Sequence, residues 1–331
     1  MTDNPVQPAR FDGTRFHDTE GQPADKSFAD IMTWMVGSRR TAWPRHRDPA
    51  PHGPVATRIA GEGLRATFVG HATVLLQCAG LNILTDPLWS DRASPFAWLG
   101  PRRTVPPGLP LDALPPLDAI LVSHNHYDHM DTATLARLTA RHGCPVITPL
   151  GNGRYLRRCL NGAPLHEVDW GGGVDVKGAR VTALRARHWS HRAVGDTNRA
   201  LWAAFAIETP AGNVYFAGDT GHRGGGHFDE AAEFAGPYRL ALLPIGAYEP
   251  RDFMRDQHMN PPEAVDGFLR CRAHHALAIH HGTIQLTNEG IDEPAEWLTR
   301  AAAEAGLAPD AFRVLPPGAS WDVPLLEEGA A

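Results

Sequence analysis

The stretch Ser123-His-Asn-His-Tyr-Asp-His-Met-Asp131 places three histidines and one aspartate within six positions. An apolar, strand-like run leads directly into it, Leu117-Asp-Ala-Ile-Leu-Val-Ser123, and a helical pattern begins near Asp131. Imidazole nitrogen and carboxylate oxygen are the donors that suit zinc and similar divalent metals. The alternative is a solvated loop that is rich in histidine by chance. We favour a metal site, since further ligand-type residues recur downstream.

The composition of the chain of 331 residues is that of an ordinary globular protein, with 43% hydrophobic and 21% charged residues. The net charge of −6 and the lack of a concentrated basic stripe argue against nucleic acid as a partner. The 18 histidines stand out, because neutral imidazole is the commonest metal ligand in proteins. The whole-chain properties therefore favour metal chemistry.

The cysteines and the N-terminal sequence bear on the cellular compartment. The four cysteines form no CxxC pair and predict reduced thiols: Cys78, Cys144, Cys159 and Cys271. The N-terminal residues lack the basic start and apolar core of a signal peptide. No apolar run approaches the ~20 residues that a membrane span requires. We predict a soluble, cytoplasmic protein, and docking to the inner membrane surface stays open.

The chain shows no repeat and no break that would mark a second domain. Residues 1–26 are polar and aperiodic, which predicts a poorly ordered N-terminal arm. We expect one domain over residues 27–331, with a helix at 27–38 and a proline-rich connector to residue 55 packed on or beside it. The apolar helix face precedes several arginines, as in an interfacial anchor. The alternative is a helix that packs on the core.

Strands and helices alternate after a β-rich start, which favours a layered α/β arrangement. Strands are predicted at 64–69, 73–78, 81–85, 117–123, 145–148, 180–187, 201–208, 213–217, 239–243 and 275–279. Helices are predicted at 131–142, 152–160, 229–235, 261–273 and 293–305. The Pro- and Gly-rich excursion at 86–116 is long enough to be functional. Its Phe96 and Trp98 either line a lipid groove or cover the sheet.

Ligand-type residues follow the ends of predicted strands, which is where α/β folds place their sites. These residues are His188, Asp219 and His280. Each has an ordinary alternative: a packed core histidine for His188, a turn aspartate for Asp219, and His281 in place of His280. Together with the ligand-type residues of 124–129 they make seven ligands, the number that two metals need if one carboxylate bridges them.

This pattern resembles the metallo-β-lactamase superfamily, whose signature is HxHxDH followed by His, Asp and His. The resemblance runs from about Ala66 to Leu315. Within the superfamily the chain is most similar to the N-acylphosphatidylethanolamine phospholipase D-like branch. The segments that carry this similarity are Phe68-Val-Gly-His-Ala-Thr-Val74, Leu84-Thr-Asp-Pro87, Arg92-Ala-Ser-Pro95, Gly100-Pro-Arg102, Ser123-His-Asn-His-Tyr-Asp-His129, His188-Trp189, Phe216-Ala-Gly-Asp-Thr-Gly221 and Pro244-Ile-Gly-Ala-Tyr-Glu-Pro-Arg251.

The resemblance implies an α/β fold in the form of a four-layer αββα sandwich with a binuclear metal centre. It implies that one metal is held by His124, His126 and His188, the other by Asp128, His129 and His280, and that Asp219 bridges them. Asp128 and Asp219 would be the catalytic carboxylates. The implied cofactors are two divalent ions, zinc in the first place. Superfamily members also use iron or manganese, and nitrogen and oxygen ligands do not decide among these metals.

The function implied by the resemblance is that of a phospholipase D-type phosphodiesterase in lipid metabolism. A metal-bridging hydroxide would attack phosphorus in N-acylphosphatidylethanolamine or a related lipid, which releases phosphatidic acid and an N-acylethanolamine. One alternative is a metallo-hydrolase of the same fold that cleaves a lactone or another soluble ester or amide. A nuclease is a further alternative. The sequence leaves the physiological substrate, its acyl chain, the native metal and the oligomeric state open.

Several residues near these motifs have two interpretations each. His71 and Asp86 either orient a metal ligand through a hydrogen bond or have a purely structural role. Four residues are candidates for substrate contact, and for the two tyrosines packing is the alternative: Tyr127, Tyr248, Gln257 and His258. The substrate is expected to be a lipid or a small phosphodiester, with peripheral membrane contact open.

Overall fold

The computed structural model describes residues 6–18 and 40–325. The first strands, β1 (Arg10–Phe11) and β2 (Phe16–His17), pair as an antiparallel hairpin. Val6 and Phe16 are buried in the main core, so the prediction of a poorly ordered arm is wrong for residues 6–18. These two apolar side chains dock the otherwise polar segment together with the buried ion pair between Asp18 and Arg187. The predicted helix at 27–38 lies outside the described residues.

The first of two seven-stranded sheets has the order β16-β3-β4-β5-β6-β7-β8. Its strands are β3 (Leu64–Gly70), β4 (Thr73–Cys78), β5 (Leu81–Thr85), β6 (Ala119–Leu121), β7 (Val146–Pro149), β8 (Leu165–Val168) and β16 (Ser320–Asp322). The chain enters antiparallel through β3, β4 and β5 and continues parallel through β6, β7 and β8.

The second sheet has the order β15-β14-β13-β12-β11-β10-β9. Its strands are β9 (Gly173–Val176), β10 (Ala179–Leu184), β11 (Ala204–Glu208), β12 (Val214–Phe216), β13 (Tyr238–Pro244), β14 (Ala273–Ile279) and β15 (Phe312–Arg313). Strands β12 to β15 are parallel to one another. Each of the two sheets therefore begins as a β-meander and continues into a parallel half.

Six α-helices and one short 3₁₀ turn, Leu111–Ala113, lie in the described ranges. The helices are α1 (Thr132–His142), α2 (Gly153–Leu156), α3 (Gly226–Ala235), α4 (Arg251–Met254), α5 (Pro261–Arg270) and α6 (Glu293–Glu304). Asp131 caps α1 through the amides of Ala133 and Thr134, and Asn260 and Glu263 form a capping box on α5. None of the described helices is long and apolar enough to span a bilayer.

The alternation of side chains along the strands builds four layers. In β6, Ala119 and Leu121 join the core that continues into the second sheet, whereas Ile120 joins a core shared with Leu135 and Leu138 of α1. Helices α3, α5 and α6 cover the second sheet with apolar faces. This is the αββα sandwich, so the predicted α/β fold class is confirmed. Burial on both faces explains why the inner strands have continuous apolar runs.

Within the described residues, the predicted strands and helices are present with shifted ends, and the strands at the sheet edges were missed. Helix 152–160 is shorter than predicted, as α2 ends at Leu156. Strands β8, β9, β15 and β16 had no prediction. In β8, residues Leu165, Glu167 and Val168 are only half-buried and His166 is exposed, because an edge strand carries no continuous apolar run.

Candidate metal centre

Residues at the ends of several strands converge on the side chain of Asp219. Asp219 follows β12, and its Oδ2 lies 3.1 Å from His129 Nε2 and 3.2 Å from His280 Nε2. The same oxygen lies 3.8 Å from His188 Nε2 and 4.0 Å from His124 Nε2. One carboxylate therefore stands between two groups of histidines that come from both sheets.

The first group consists of three imidazoles. His126 Nδ1 lies 2.9 Å from His124 Nε2 and 3.2 Å from His188 Nε2. These three nitrogens are close enough together to hold one ion. His124 and His126 come from the turn after β6, and His188 comes from the segment after β10.

The second group combines carboxylates with two further imidazoles. Asp128 Oδ2 lies 3.4 Å from His129 Nε2 and 3.3 Å from His280 Nε2. Both histidines also approach Asp219, so each imidazole faces two carboxylates. All seven residues singled out in the sequence thus lie in one cluster.

Hydrogen bonds behind the cluster fix which nitrogen of two histidines carries the hydrogen. Asp86 Oδ2 lies 2.6 Å from His129 Nδ1, and because a carboxylate only accepts, Nδ1 donates. The hydroxyl of Ser123 donates to the same carboxylate at 2.6 Å, so its oxygen accepts from His124 Nδ1 at 2.9 Å. In their neutral form, His124 and His129 therefore present the lone pairs of their Nε2 atoms to the cluster.

His188 is oriented by a main-chain group. Its Nδ1 lies 3.0 Å from the carbonyl oxygen of Gln257, and a carbonyl can only accept. The Nε2 lone pair of His188 consequently points toward His126 and Asp219. Metal-binding histidines are usually fixed in this way by a partner on their other nitrogen.

His71 contacts the cluster through Asp128, as Nε2 lies 3.0 Å from Asp128 Oδ2. Its ring stands 4.1 Å from that of His280. The opposite nitrogens of both rings, Nδ1, are buried without a hydrogen-bond partner among the described residues. Both histidines line one cavity with His281 and Glu289. His71 and Asp86 thus lie behind the ligands.

Three residues of the site adopt a left-handed backbone conformation without being glycine. The φ angles are 58° for His71, 30° for Asp86 and 59° for His280. This conformation is uncommon for side chains with a Cβ and is concentrated at functional sites. Each of the three follows the end of a strand, and the turn redirects its side chain into the cluster.

The buried carboxylates of the cluster favour positive charge on the imidazoles beside them. Burial lowers the pKa of His129, but the carboxylates of Asp219, Asp128 and Asp86 raise it well above the ordinary value. Burial also lowers the pKa of His280, but the carboxylates of Asp219 and Asp128 raise it to about 9. Burial would raise the pKa of Asp219, yet His129 and His280 hold it well below the usual range.

The residues present fit a pair of divalent cations. In the first group, His124 Nε2 and His188 Nε2 both approach His126 Nδ1. Because His126 Nδ1 carries at most one hydrogen, it can donate to only one of the two lone pairs, and the other is left without a donor. Asp219 Oδ1 is buried and has no hydrogen-bond partner in the part of the chain that the structure describes. Buried polar atoms normally have partners, and a cation in each group would supply them. The donors are nitrogen and oxygen, as zinc, iron and manganese accept.

The candidate substrate residues are dispersed. His258 stays close, with Nδ1 3.9 Å from Asp219 Oδ2, and burial lowers its pKa to about 4. Gln257 is buried next to it. Tyr127 is half-buried, and its hydroxyl donates to the carbonyl of Arg192. Tyr248 is fully buried and donates to Glu293, so the structure does not bring its hydroxyl to the cluster.

The cluster is buried except along one side. His126, Tyr127, Trp189 and His258 are half-buried, whereas His124, His129, His188 and His280 are buried. The Trp189 ring stands edge-on to His126, with ring centres 4.8 Å apart. A substrate would reach the cluster from this side.

The sequence missed two contributors to the site, Ser123 and the carbonyl of Gln257. Ser123 stood only as the end of a predicted strand, although a buried hydroxyl between Asp86 and His124 is a specific signal once both partners are considered. The role of Gln257 belongs to its main chain. A carbonyl carries no signature of residue type, so no pattern could have predicted it.

The αββα fold and the His/Asp cluster at its strand ends define a metal-dependent hydrolase. A family model described as a β-lactamase superfamily domain matches residues 81–281. N-acyl-phosphatidylethanolamine-hydrolyzing phospholipase D 1 of Caenorhabditis elegans is 38% identical over 273 residues, which is 78% of this chain and 76% of that protein. An uncharacterized protein of Mycobacterium tuberculosis is 38% identical over 84% of this chain and 74% of its own length.

A solved structure agrees on the fold. A metallo hydrolase from the archaeon Ignicoccus hospitalis superposes with a TM-score of 0.58 at 20% identity, covering 78% of this chain and 97% of that one. The chain belongs to the metallo-β-lactamase superfamily, in the branch that includes the N-acyl-phosphatidylethanolamine-hydrolyzing phospholipases D.

Proposed function

We propose that this protein is a binuclear phosphodiesterase of phospholipase D type that cleaves N-acylphosphatidylethanolamine or a related lipid into phosphatidic acid and an N-acylethanolamine. The observation that carries the proposal is the position of Asp219 between two groups of ligands. This arrangement suits an in-line displacement at phosphorus, and 38% identity to a relative with that substrate in its name supports the choice of substrate.

Each of the two groups would hold one ion. His124, His126 and His188 would hold the first, Asp128, His129 and His280 the second, with Asp219 shared between them. When bound, two divalent ions supply an activated water near neutral pH and neutralise negative charge on a phosphoryl group. We propose zinc as the metal, because a mixed imidazole and carboxylate donor set suits it well.

The chain's own residues orient the ligands and receive the substrate. Asp86, Ser123 and the Gln257 carbonyl fix His129, His124 and His188 so that each presents Nε2. His71 holds Asp128 through its Oδ2. His258 is neutral near pH 7, since burial lowers its pKa, and its ring lies on the open side, where we propose that it contacts the phosphodiester.

The test is product analysis with protein of measured metal content. The protein would be given N-acylphosphatidylethanolamine in detergent, a soluble phosphodiester and a lactone in separate reactions. We expect phosphatidic acid and N-acylethanolamine from the lipid. A protein that carries two metals and opens only the lactone would refute the proposal.

Two variants locate the activity in the cluster. Asp219→Ala should abolish lipid cleavage with the fold retained. Asp118→Asn is the matched control, because Asp118 is equally buried but pairs with Arg58 and Lys177 away from the cluster. Full activity in Asp219→Ala would show that the cluster is not the site.

A further inference from the structure

We propose that the tip of a loop at 95–100 inserts into the interfacial region of a phospholipid bilayer and docks the enzyme beside its substrate. The proposal rests on the proposed function for the reason why docking is useful, but the surface itself follows from the structure. The loop belongs to the excursion between β5 and β6, which begins at Asp86.

The tip is an unbroken run of exposed apolar residues. Its sequence is Pro-Phe-Ala-Trp-Leu-Gly, and all six residues are exposed. The exposed fractions are 51% for Phe96, 74% for Trp98 and 53% for Leu99. Scattered exposed apolar residues are normal on soluble proteins, whereas a contiguous run marks an interaction surface.

Hydrogen bonds join the two arms of the loop at its base. Ala93 N–H donates to the Pro101 carbonyl at 3.1 Å, and Arg103 N–H donates to the Asp91 carbonyl at 2.8 Å. The guanidinium of Arg92 donates to the Gly100 carbonyl at 2.6 Å. These bonds close the two arms of the loop on each other, and the apolar side chains remain outside.

The base of the loop packs beside Tyr127, a neighbour of the candidate ligands. Leu88 and Ala93, at its base, pack in a small cluster with Ile284 and Tyr127. Tyr127 lies between the candidate ligands His126 and Asp128 in the chain. The base of the loop therefore adjoins the half-buried side of the centre, where Tyr127 lies.

A bilayer suits the tip better than a protein partner does. The three large side chains expose on the order of 300–400 Å², whereas a stable dimer buries about 800 Å² on each partner. Tryptophan and phenylalanine favour the membrane interface. The tip carries no charge, and Arg92 and the exposed Arg102 stand at its base, at the level where lipid phosphates would lie and arginine binds phosphate well.

The experiment is co-sedimentation of the full chain with vesicles of phosphatidylethanolamine and phosphatidylglycerol that contain no N-acylated lipid. We expect the wild type to bind, and the variant with Phe96→Ser, Trp98→Ser and Leu99→Ser to bind at least about tenfold more weakly. The control variant carries Val194→Ser, Leu269→Ser and Leu325→Ser, which remove three other exposed apolar side chains. It should bind vesicles like the wild type.

Equal binding by wild type and tip variant would overturn the proposal. An equal loss of vesicle binding in both triple variants would also overturn it, because that result would indicate non-specific hydrophobic binding. Light scattering tests the remaining alternative, in which the tip binds a second copy of the chain. In that case the wild type would be a dimer, the tip variant would be a monomer, and vesicle binding would be the same for both. This result would refute the membrane role.

The outcome is separable from that of the proposed function. The vesicles contain no substrate, so binding is measured without catalysis. Vesicle binding without lipid cleavage would refute the phospholipase activity and leave the docking surface standing. If the activity also holds, the tip variant should raise the KM for substrate in vesicles and keep kcat for a soluble phosphodiester unchanged.

Discussion

The Nδ1 hydrogen of His129 is donated to Asp86 Oδ2 over 2.6 Å, deep in the protein where both side chains are fully buried. The same carboxylate also accepts from the amide and the hydroxyl of Ser123, at 2.7 Å and 2.6 Å. Asp86 therefore holds His129 directly and His124 through Ser123. These two histidines belong to different groups of the cluster, so one carboxylate orients both halves of the site.

Asp86→Asn should weaken metal binding. An amide at this position presents one acceptor and one donor. In place of Oδ1 the donor opposes the Ser123 amide N–H, and in place of Oδ2 it opposes both the Ser123 hydroxyl and His129 Nδ1–H. We expect an affinity for zinc that is about 10–100-fold lower, measured by competition with a chromophoric chelator.

The control for this change is Asp118→Asn, another buried aspartate that accepts from Arg58, Lys177 and the amide of Asn82. It should lower the free energy of unfolding, because it weakens the ion pairs that a buried carboxylate makes with Arg58 and Lys177, and leave zinc affinity unchanged. Wild-type zinc affinity in Asp86→Asn would contradict the orienting role.

Ser123→Ala should reduce both stability and metal affinity. The change leaves His124 Nδ1 without its acceptor and Asp86 without one donor, which costs about 1–3 kcal/mol. Urea unfolding of metal-free protein measures the first effect and chelator competition the second. Ser190→Ala is the comparison, as the Ser190 hydroxyl donates to the Ala200 carbonyl instead. If both variants lost zinc affinity alike, the Ser123 bridge would have no special role.

Gly218→Ala should displace Asp219. Gly218 has a φ of +60°, and a Cβ there would stand 2.7 Å from the Cβ of Ser123 and 3.2 Å from the carbonyl of Ala203. Left-handed strain costs roughly 1–2 kcal/mol and the clash adds about 1–3 kcal/mol. The free energy of unfolding, measured with denaturant, should fall by the sum of these two costs, and zinc affinity should fall as well.

Gly143→Ala isolates the strain in that pair, since Gly143 has the same φ of +60° and an added methyl group would meet nothing within 4 Å among the described residues. It should lose only the first contribution and keep zinc affinity. Equal losses in the two variants would mean that the packing of Gly218 against Ser123 does not position Asp219.

The inner parts of the fold were predictable because their physics is local. Strands β4 and β5 are buried on both faces and appear as apolar runs in the sequence. Edge strands such as β8 have half-exposed, mixed sequences, and their pairing depends on neighbours far along the chain. The hairpin at residues 6–18 was missed for a similar reason, since its two buried apolar side chains, Val6 and Phe16, lie far apart in a mostly polar segment.

The site shows the same division. The seven ligand-type residues follow strand ends, which a sequence reveals. The partners that fix their orientation are a serine hydroxyl, an aspartate in a left-handed turn and the carbonyl of Gln257. Their roles arise from the meeting of distant segments. The sequence also suggested a site residue that the structure places elsewhere. Tyr248 lies in a family-like motif, but it is buried and its hydroxyl donates to Glu293.

Metal ions should stabilise the protein. A ligand that binds only the folded state at 100 times its Kd adds about 2.7 kcal/mol, so zinc added to chelator-treated protein should raise Tm by roughly 5 °C. Asp219→Ala should show little rise, measured by differential scanning calorimetry. A rise of the same size in both proteins would place the metal elsewhere.

Anomalous diffraction at the zinc edge, from crystals of zinc-loaded protein, would locate the bound metals. We predict two peaks on either side of Asp219 Oδ2. One should lie among His124 Nε2, His126 Nδ1 and His188 Nε2, and the other among Asp128 Oδ2, His129 Nε2 and His280 Nε2. A single peak, or a second peak outside these two groups, would contradict the binuclear centre.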